Sequence, residues 1–94
     1  MSVLAAEVVQ ERLRAIPHWK LEGKEIARHY EFPDFAAAMV FVNRVAAEAE
    51  KAGHHPDIDI RYNKVRLGLV SHDKGGLTAK DFAMAQQCDK LALR

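Results

Sequence analysis

A single cysteine, Cys88, in a chain of 94 residues excludes an internal disulfide and agrees with a reducing compartment. Charge of one sign is missing as well: 14 Lys and Arg stand against 13 Asp and Glu, a formal +1. A protein that neutralises several phosphates carries a basic stripe with aromatic residues between the charges. None is present, so neither nucleic acid nor an anionic membrane surface is expected as a partner. No apolar run approaches the roughly 20 residues that cross a bilayer. From Met1 to Arg14 the apolar residues are interrupted by Glu7, Glu11 and Arg12, unlike the unbroken centre of a secretory signal. The chain is therefore expected in the cytoplasm. Repeats and linkers are also lacking, and residues 1–94 read as one domain.

What is there suits a folded protein: 49% hydrophobic and 29% charged residues can build a core and a solvated surface. Leu4, Val8, Val9, Leu13 and Ile16 recur at helical spacing and predict a helix over Val3 to Ala15, ending before Pro17. Trp19 to Leu21 and Glu25 to Phe32 flank a turn at Glu22-Gly23-Lys24 and predict a hairpin. Asp34 is a good N-cap for a long helix, with Phe35, Met39, Val42, Ala46 and Ala49 expected on its buried face. Gly53 supplies a left-handed end to that helix. Ile58, Ile60 and Tyr62, then Val65, Leu67 and Leu69, alternate with polar residues as two half-buried strands around a turn at Asn63-Lys64. Lys74-Gly75-Gly76 reads as a loop, and Thr78 to Asp81 opens a last helix in the manner of a capping box. The expected fold is α+β, a four-stranded antiparallel sheet with three helices packed on one face, in the order α-β-β-α-β-β-α.

Five histidines are notable because imidazole titrates near neutrality. Glu50 lies four residues before His54 in the last turn of the long helix. His55-Pro56 then enters a strand whose hairpin partner ends beside His72. Pairing about an Asn63-Lys64 turn brings His72 near His55, so three imidazoles and a carboxylate would share one rim of the sheet. Such a rim suits proton transfer, and Pro56 would stiffen it. Plainer readings stand beside this one. On spacing alone an adjacent His pair on a turn is more often a solvated loop than a site. Glu50 reads as a surface residue, Tyr62 as core, and Asp81 as an N3 carboxylate satisfying helix amides. His54, His72 and a carboxylate are a conceivable zinc set. No metal is expected, because there is no cysteine near the cluster and no His pair at i, i+4.

Taken together, Glu50-x3-His54-His55-Pro56, five residues to Tyr62, nine to His72 and eight to Asp81 resemble the signature of the pterin-4a-carbinolamine dehydratases. Phe32-x-x-Phe35, Arg44-Val45-Ala46 to Ala49-Glu50, Tyr62-Asn63-Lys64-Val65 and Gly76-Leu77-Thr78 also look like that family, from about Trp19 to Leu91. The resemblance implies dehydration of 4a-hydroxytetrahydropterin to quinonoid dihydropterin, downstream of an aromatic amino acid hydroxylase, without metal or organic cofactor. It implies an α+β fold and a homodimer or homotetramer. His54 and His72 would exchange protons with the substrate, and His55 would chiefly hold the pterin, with Glu50, Pro56, Tyr62 and Asp81 completing the binding residues. Ile58, where many relatives are aromatic, and Gly53, where others are polar, depart from the pattern. Two other roles fit the same resemblance: a protein-binding module that acts as a dimerisation partner, and a task in other pterin metabolism such as that of the molybdenum cofactor.

Overall fold

A computed structural model of the chain describes residues 2–93. The elements run α1 (Ala6–Leu13), β1 (Lys20–Glu22), β2 (Glu25–Glu31), α2 (Phe35–Ala52), β3 (Asp57–Arg61), β4 (Lys64–Leu69) and α3 (Ala79–Ala92), with a short 3-10 turn at His72–Lys74 before α3. The four strands form one antiparallel sheet in the order β1-β2-β4-β3. The expected class and element order are both present.

Side chains alternate across a strand, and here the alternation separates charge from core. Ile26 and Tyr30 of β2, with Val65, Leu67 and Leu69 of β4, are buried together with Phe41, Val42, Val45 and Ala49 of α2 and Phe82, Met84, Cys88 and Leu91 of α3. Phe41 anchors this layer, its ring 4.6 Å from Tyr30 and 5.0 Å from Phe32 between centroids. Asp89 of α3 ties the sheet to the helices. It accepts from Trp19 Nε1 at 3.0 Å, Arg28 at 2.7 Å and the Tyr30 hydroxyl at 2.6 Å. Burial, and then the neighbouring Asp89 carboxylate, push the Tyr30 phenol far above its ordinary range. On the opposite face Arg66 holds Glu22 at 2.9 Å and Glu25 at 2.5 Å.

The caps of α2 form as expected. The Asp34 carboxylate accepts the Ala37 N–H at 2.8 Å, and Gly53 ends the helix in the left-handed region at φ 62°, which costs a glycine little. The buried face of α2 is nevertheless rotated from the expected one. Ala38, Phe41, Val42, Val45 and Ala49 point inward, whereas Phe35 and Ala46 are exposed. The N-terminal helix is also shorter than predicted, because the chain before it is drawn to the loop ahead of α3 by a Leu4 N–H bond to the Leu77 carbonyl at 2.8 Å.

The second hairpin differs more. Its turn residues are Tyr62 and Asn63, with Tyr62 at φ 53°, and not Asn63-Lys64. Asn63 is engaged with Phe32: its side chain donates to the Phe32 carbonyl at 2.8 Å and its own carbonyl accepts the Phe32 N–H at 2.9 Å. Asp57 therefore pairs with Gly68 and Arg61 with Lys64. β3 is an edge strand exposed along its whole length, so only β4 of this hairpin is buried.

Phe41→Ala removes the ring at the centre of the layer, and a fall of about 3–5 kcal/mol in unfolding free energy is expected in a urea melt. Burial, followed by Asp89 and Glu48, pushes the Cys88 thiol up to about 12. A thiol reagent at pH 8 should leave the native protein unmodified and label it only after denaturation.

Candidate active site

The end of α2 fixes the first histidine. The N–H groups of Gly53 and His54 turn back to the carbonyls of Glu50 and Ala49 at 3.4 and 3.1 Å, so His54 leaves the helix with its backbone already committed. Its ring Nε2–H donates to Asp81 Oδ1 at 2.5 Å. Asp81 belongs to the first turn of α3 and has no exposed surface. Its other oxygen accepts the Thr78 N–H at 2.9 Å and the Ser71 hydroxyl at 3.0 Å, and the Ser71 and Thr78 hydroxyls meet at 2.8 Å.

A buried carboxylate accepts and does not donate, and that fixes the imidazole tautomer. Asp81 takes the hydrogen on Nε2, leaving Nδ1 of His54 without a protein hydrogen-bond partner among the described residues. Nδ1 is then the nitrogen that can take a proton from a ligand and return it. His54 borders a cleft of about 350 Å³ with Gly53, Ser71, Asp73, Lys74, Thr78 and Lys80. His55 lies outside, its ring paired with Glu50 where both side chains are well exposed, an arrangement that contributes little to stability. Pro56 is half-buried beside it.

His72 does not stand opposite His55. Extending the β3–β4 register by two places brings Val70 there, and His72 follows on the 3-10 turn. It borders a second cleft, of about 450 Å³, with Glu22, Lys24, Glu25, Val70 and Gly75. The two clefts share one stretch of backbone: Ser71, Asp73 and Lys74 line one, Val70, His72 and Gly75 the other. The carboxylate wall of the His72 cleft depends on a glycine. A Cβ at Gly68 would stand 2.7 Å from both oxygens of Glu25. The Arg66 guanidinium, against the smaller opposing effect of burial, holds the Glu22 carboxyl below its ordinary range.

Of the residues expected to form the site, His54 and Asp81 are in contact, and His72 is one residue from Ser71, which joins them. Two expectations need correction. Asp81 is enclosed, with both oxygens taken by protein donors, and does not line the cleft. Tyr62 is 67% exposed at the far end of the hairpin, stacked on Phe35. Pro56 and the five residues of β3 lie between it and His55, and β3 alone spans about 17 Å at the rise of a strand. Two residues that the spacing did not suggest, Ser71 and Thr78, are buried hydroxyls at the centre of the network. Their signal was local: one directly precedes His72, and the other stands three places before Asp81. Among the described residues no cluster of three His, Cys, Asp or Glu side chains could hold a metal ion, and no helix is long and apolar enough to cross a membrane.

The fold and site define the class: a small α+β protein in which a buried aspartate holds a histidine at the edge of a cleft. Comparison with known proteins gives the family. The model of the pterin 4 alpha carbinolamine dehydratases matches residues 2–91, and the chain belongs to that family. A protein of Acidobacterium capsulatum named "Putative pterin-4-alpha-carbinolamine dehydratase" is 58% identical, over 97% of this chain and 99% of its own length. One of the same name from Chloroflexus aurantiacus is 53% identical over 97% and 98%. Among solved structures, a transcriptional coactivator/pterin dehydratase from Brucella melitensis is 34% identical and superposes with a TM-score of 0.92, covering 97% of this chain and 99% of its own. A pterin dehydratase-like protein identified as a RuBisCO assembly factor in the alpha-carboxysome is 27% identical with a TM-score of 0.68, over 79% and 88%.

The Asp81 contact predicts that neutral His54 carries its hydrogen on Nε2, as read from ring ¹⁵N shifts; an Nδ1–H form would contradict it. Asp81→Asn should lose that preference and, by presenting an N–H where acceptors are needed, lower stability by about 1–3 kcal/mol.

Proposed function

We propose that this chain is a 4a-hydroxytetrahydropterin dehydratase, working by general acid and base catalysis at His54 and His72. The observation that carries the reading is the buried Asp81 holding His54 Nε2–H at the edge of a cleft, with Nδ1 left without a protein partner among the described residues; membership of the dehydratase family supports it. The substrate must lose hydroxide from C4a, and hydroxide leaves poorly unless protonated. One imidazolium delivers a proton to that oxygen as the C4a–O bond breaks. A neutral imidazole removes the N5 proton as the C4a=N5 bond forms, and the products are quinonoid dihydropterin and water. No electrons enter or leave, so the reaction as written needs no redox partner.

The reading requires the pterin to lie across the rim formed by residues 71–74, where it meets His54 from one side and His72 from the other. His55, exposed and oriented by Glu50, would hold the ring system, with Pro56 limiting its range. Each proton carrier is worth about 10²–10⁴ in rate. The same reading has the protein acting in the cytoplasm as a homodimer or homotetramer, receiving its substrate from an aromatic amino acid hydroxylase.

A second reading, a protein-binding role, is favoured by a different observation. Phe35, Val40, Ile58, Ile60 and Tyr62 are all exposed apolar side chains, and the solved relatives carry a coactivator and an assembly-factor role in their names. A defined partner bound stoichiometrically by a chain that has no turnover would favour it.

Stopped-flow decay of the 4a-carbinolamine, generated in place by a hydroxylase, separates the two. Wild-type protein should accelerate the decay. His54→Ala and His72→Ala should each lose about 10²–10⁴, the double variant should fall to the spontaneous rate while remaining folded, and His55→Ala should chiefly raise KM. Unchanged decay with wild-type protein would remove the dehydratase reading.

A further inference from the structure

We infer that Ser71 is a positioning residue that fixes the two proton carriers relative to one another. The inference rests on the dehydratase reading and assigns a role to a residue outside the family-like spacing described above. Ser71 is 3% exposed, and its side chain and backbone serve different histidines.

The side chain faces the His54 pair. Asp81 only accepts, so the single hydroxyl hydrogen of Ser71 goes to Asp81 Oδ2 at 3.0 Å, and the Thr78 hydroxyl donates to Ser71 Oγ at 2.8 Å. The hydrogen bonds then run in one direction, from Thr78 to Ser71 to Asp81, with His54 closing on the same carboxylate from the other side. The chain leaves no buried hydroxyl unsatisfied, which matters where an unmatched polar group is costly.

The backbone holds the His72 turn. The Ser71 carbonyl accepts the N–H groups of Lys74 and Gly75, both at 3.0 Å, and the Ser71 N–H donates to the Gly76 carbonyl at 3.1 Å. Both ends of the turn that carries His72 are thus tied to this one residue. His72 itself is exposed and makes no side-chain hydrogen bond among the described residues, so its place is set by the turn. Ser71 is where the frame of His72 is joined to the carboxylate that orients His54. A displacement of about 1 Å between catalytic groups can cost on the order of 10²-fold in rate, so such a joint has a kinetic signature.

Ser71→Ala keeps the backbone bonds and removes the side-chain tie. The expected result is a fall in kcat of about tenfold with KM within about twofold, recovery in Ser71→Thr, and no further loss when Ser71→Ala is added to His72→Ala, since the joint then has nothing left to position. An unchanged kcat with reduced stability overturns the inference, as does an undiminished loss in the His72→Ala background. Should Ser71→Ala fail to fold in a urea titration, Ser71→Cys, close in size and a weaker donor, takes its place. Wild-type protein with no turnover would sink the dehydratase reading by itself. The joint is then decided by the ring proton signals of His54 and His72: changes at both histidines in the Ser71 variant sustain it, and changes at His54 alone overturn it.

Discussion

The structure depends on one buried anion. The Asp81 carboxylate has no contact with solvent, and a charge in that position is tolerated only where hydrogen bonds replace the water it has lost. Its donors come from three separated parts of the chain: His54 in the loop after α2, Ser71 two places beyond β4, and the N-cap Thr78 of α3. None of these segments can shift without stranding part of the carboxylate. The requirement that gathers them also selects the His54 tautomer, so the energetics of folding and the chemistry of the imidazole share one cause.

That dual duty explains what was legible beforehand. Thr78 and Asp81 read as the start of a helix, and the structure bears this out; the histidines read as a proton-transfer set through their spacing and the family resemblance. Neither signal indicates that the helix-starting carboxylate and the partner of His54 are the same side chain. A cap is a local pattern, whereas the contact with His54 spans the distance between α2 and α3. The order of elements, the Asp34 cap and the Gly53 terminus were all available because each depends on residues within one turn of the chain.

The failures lie where non-local contacts outweigh pattern. Asn63 looks like the natural residue for a left-handed position, but its amide is engaged by Phe32 across the sheet. Tyr62 takes that conformation instead, an uncommon place for a bulky residue. The shift moves His72 away from the partner its numbering suggested. On α2, Phe35 appeared to begin the buried stripe, yet that stripe starts at Ala38; the small side chain lets the helix lie against the sheet, and Phe35 turns outward to stack on Tyr62. The alternation of β3 describes a strand with one covered face, but a lateral position gives it none.

Gly68 carries a consequence of another kind. It stands next to the end of the most buried strand, yet the space above it is filled by a carboxylate reaching over from the neighbouring strand and gripped by Arg66. The missing methyl group is thus a seat for charge. Even alanine there would push the Glu25 carboxylate aside, leaving the Arg66 guanidinium with Glu22 alone and altering the wall of the His72 cleft. In this chain the electrostatic character of one cleft is written in the backbone of the sheet beside it, through the smallest side-chain difference among the amino acids.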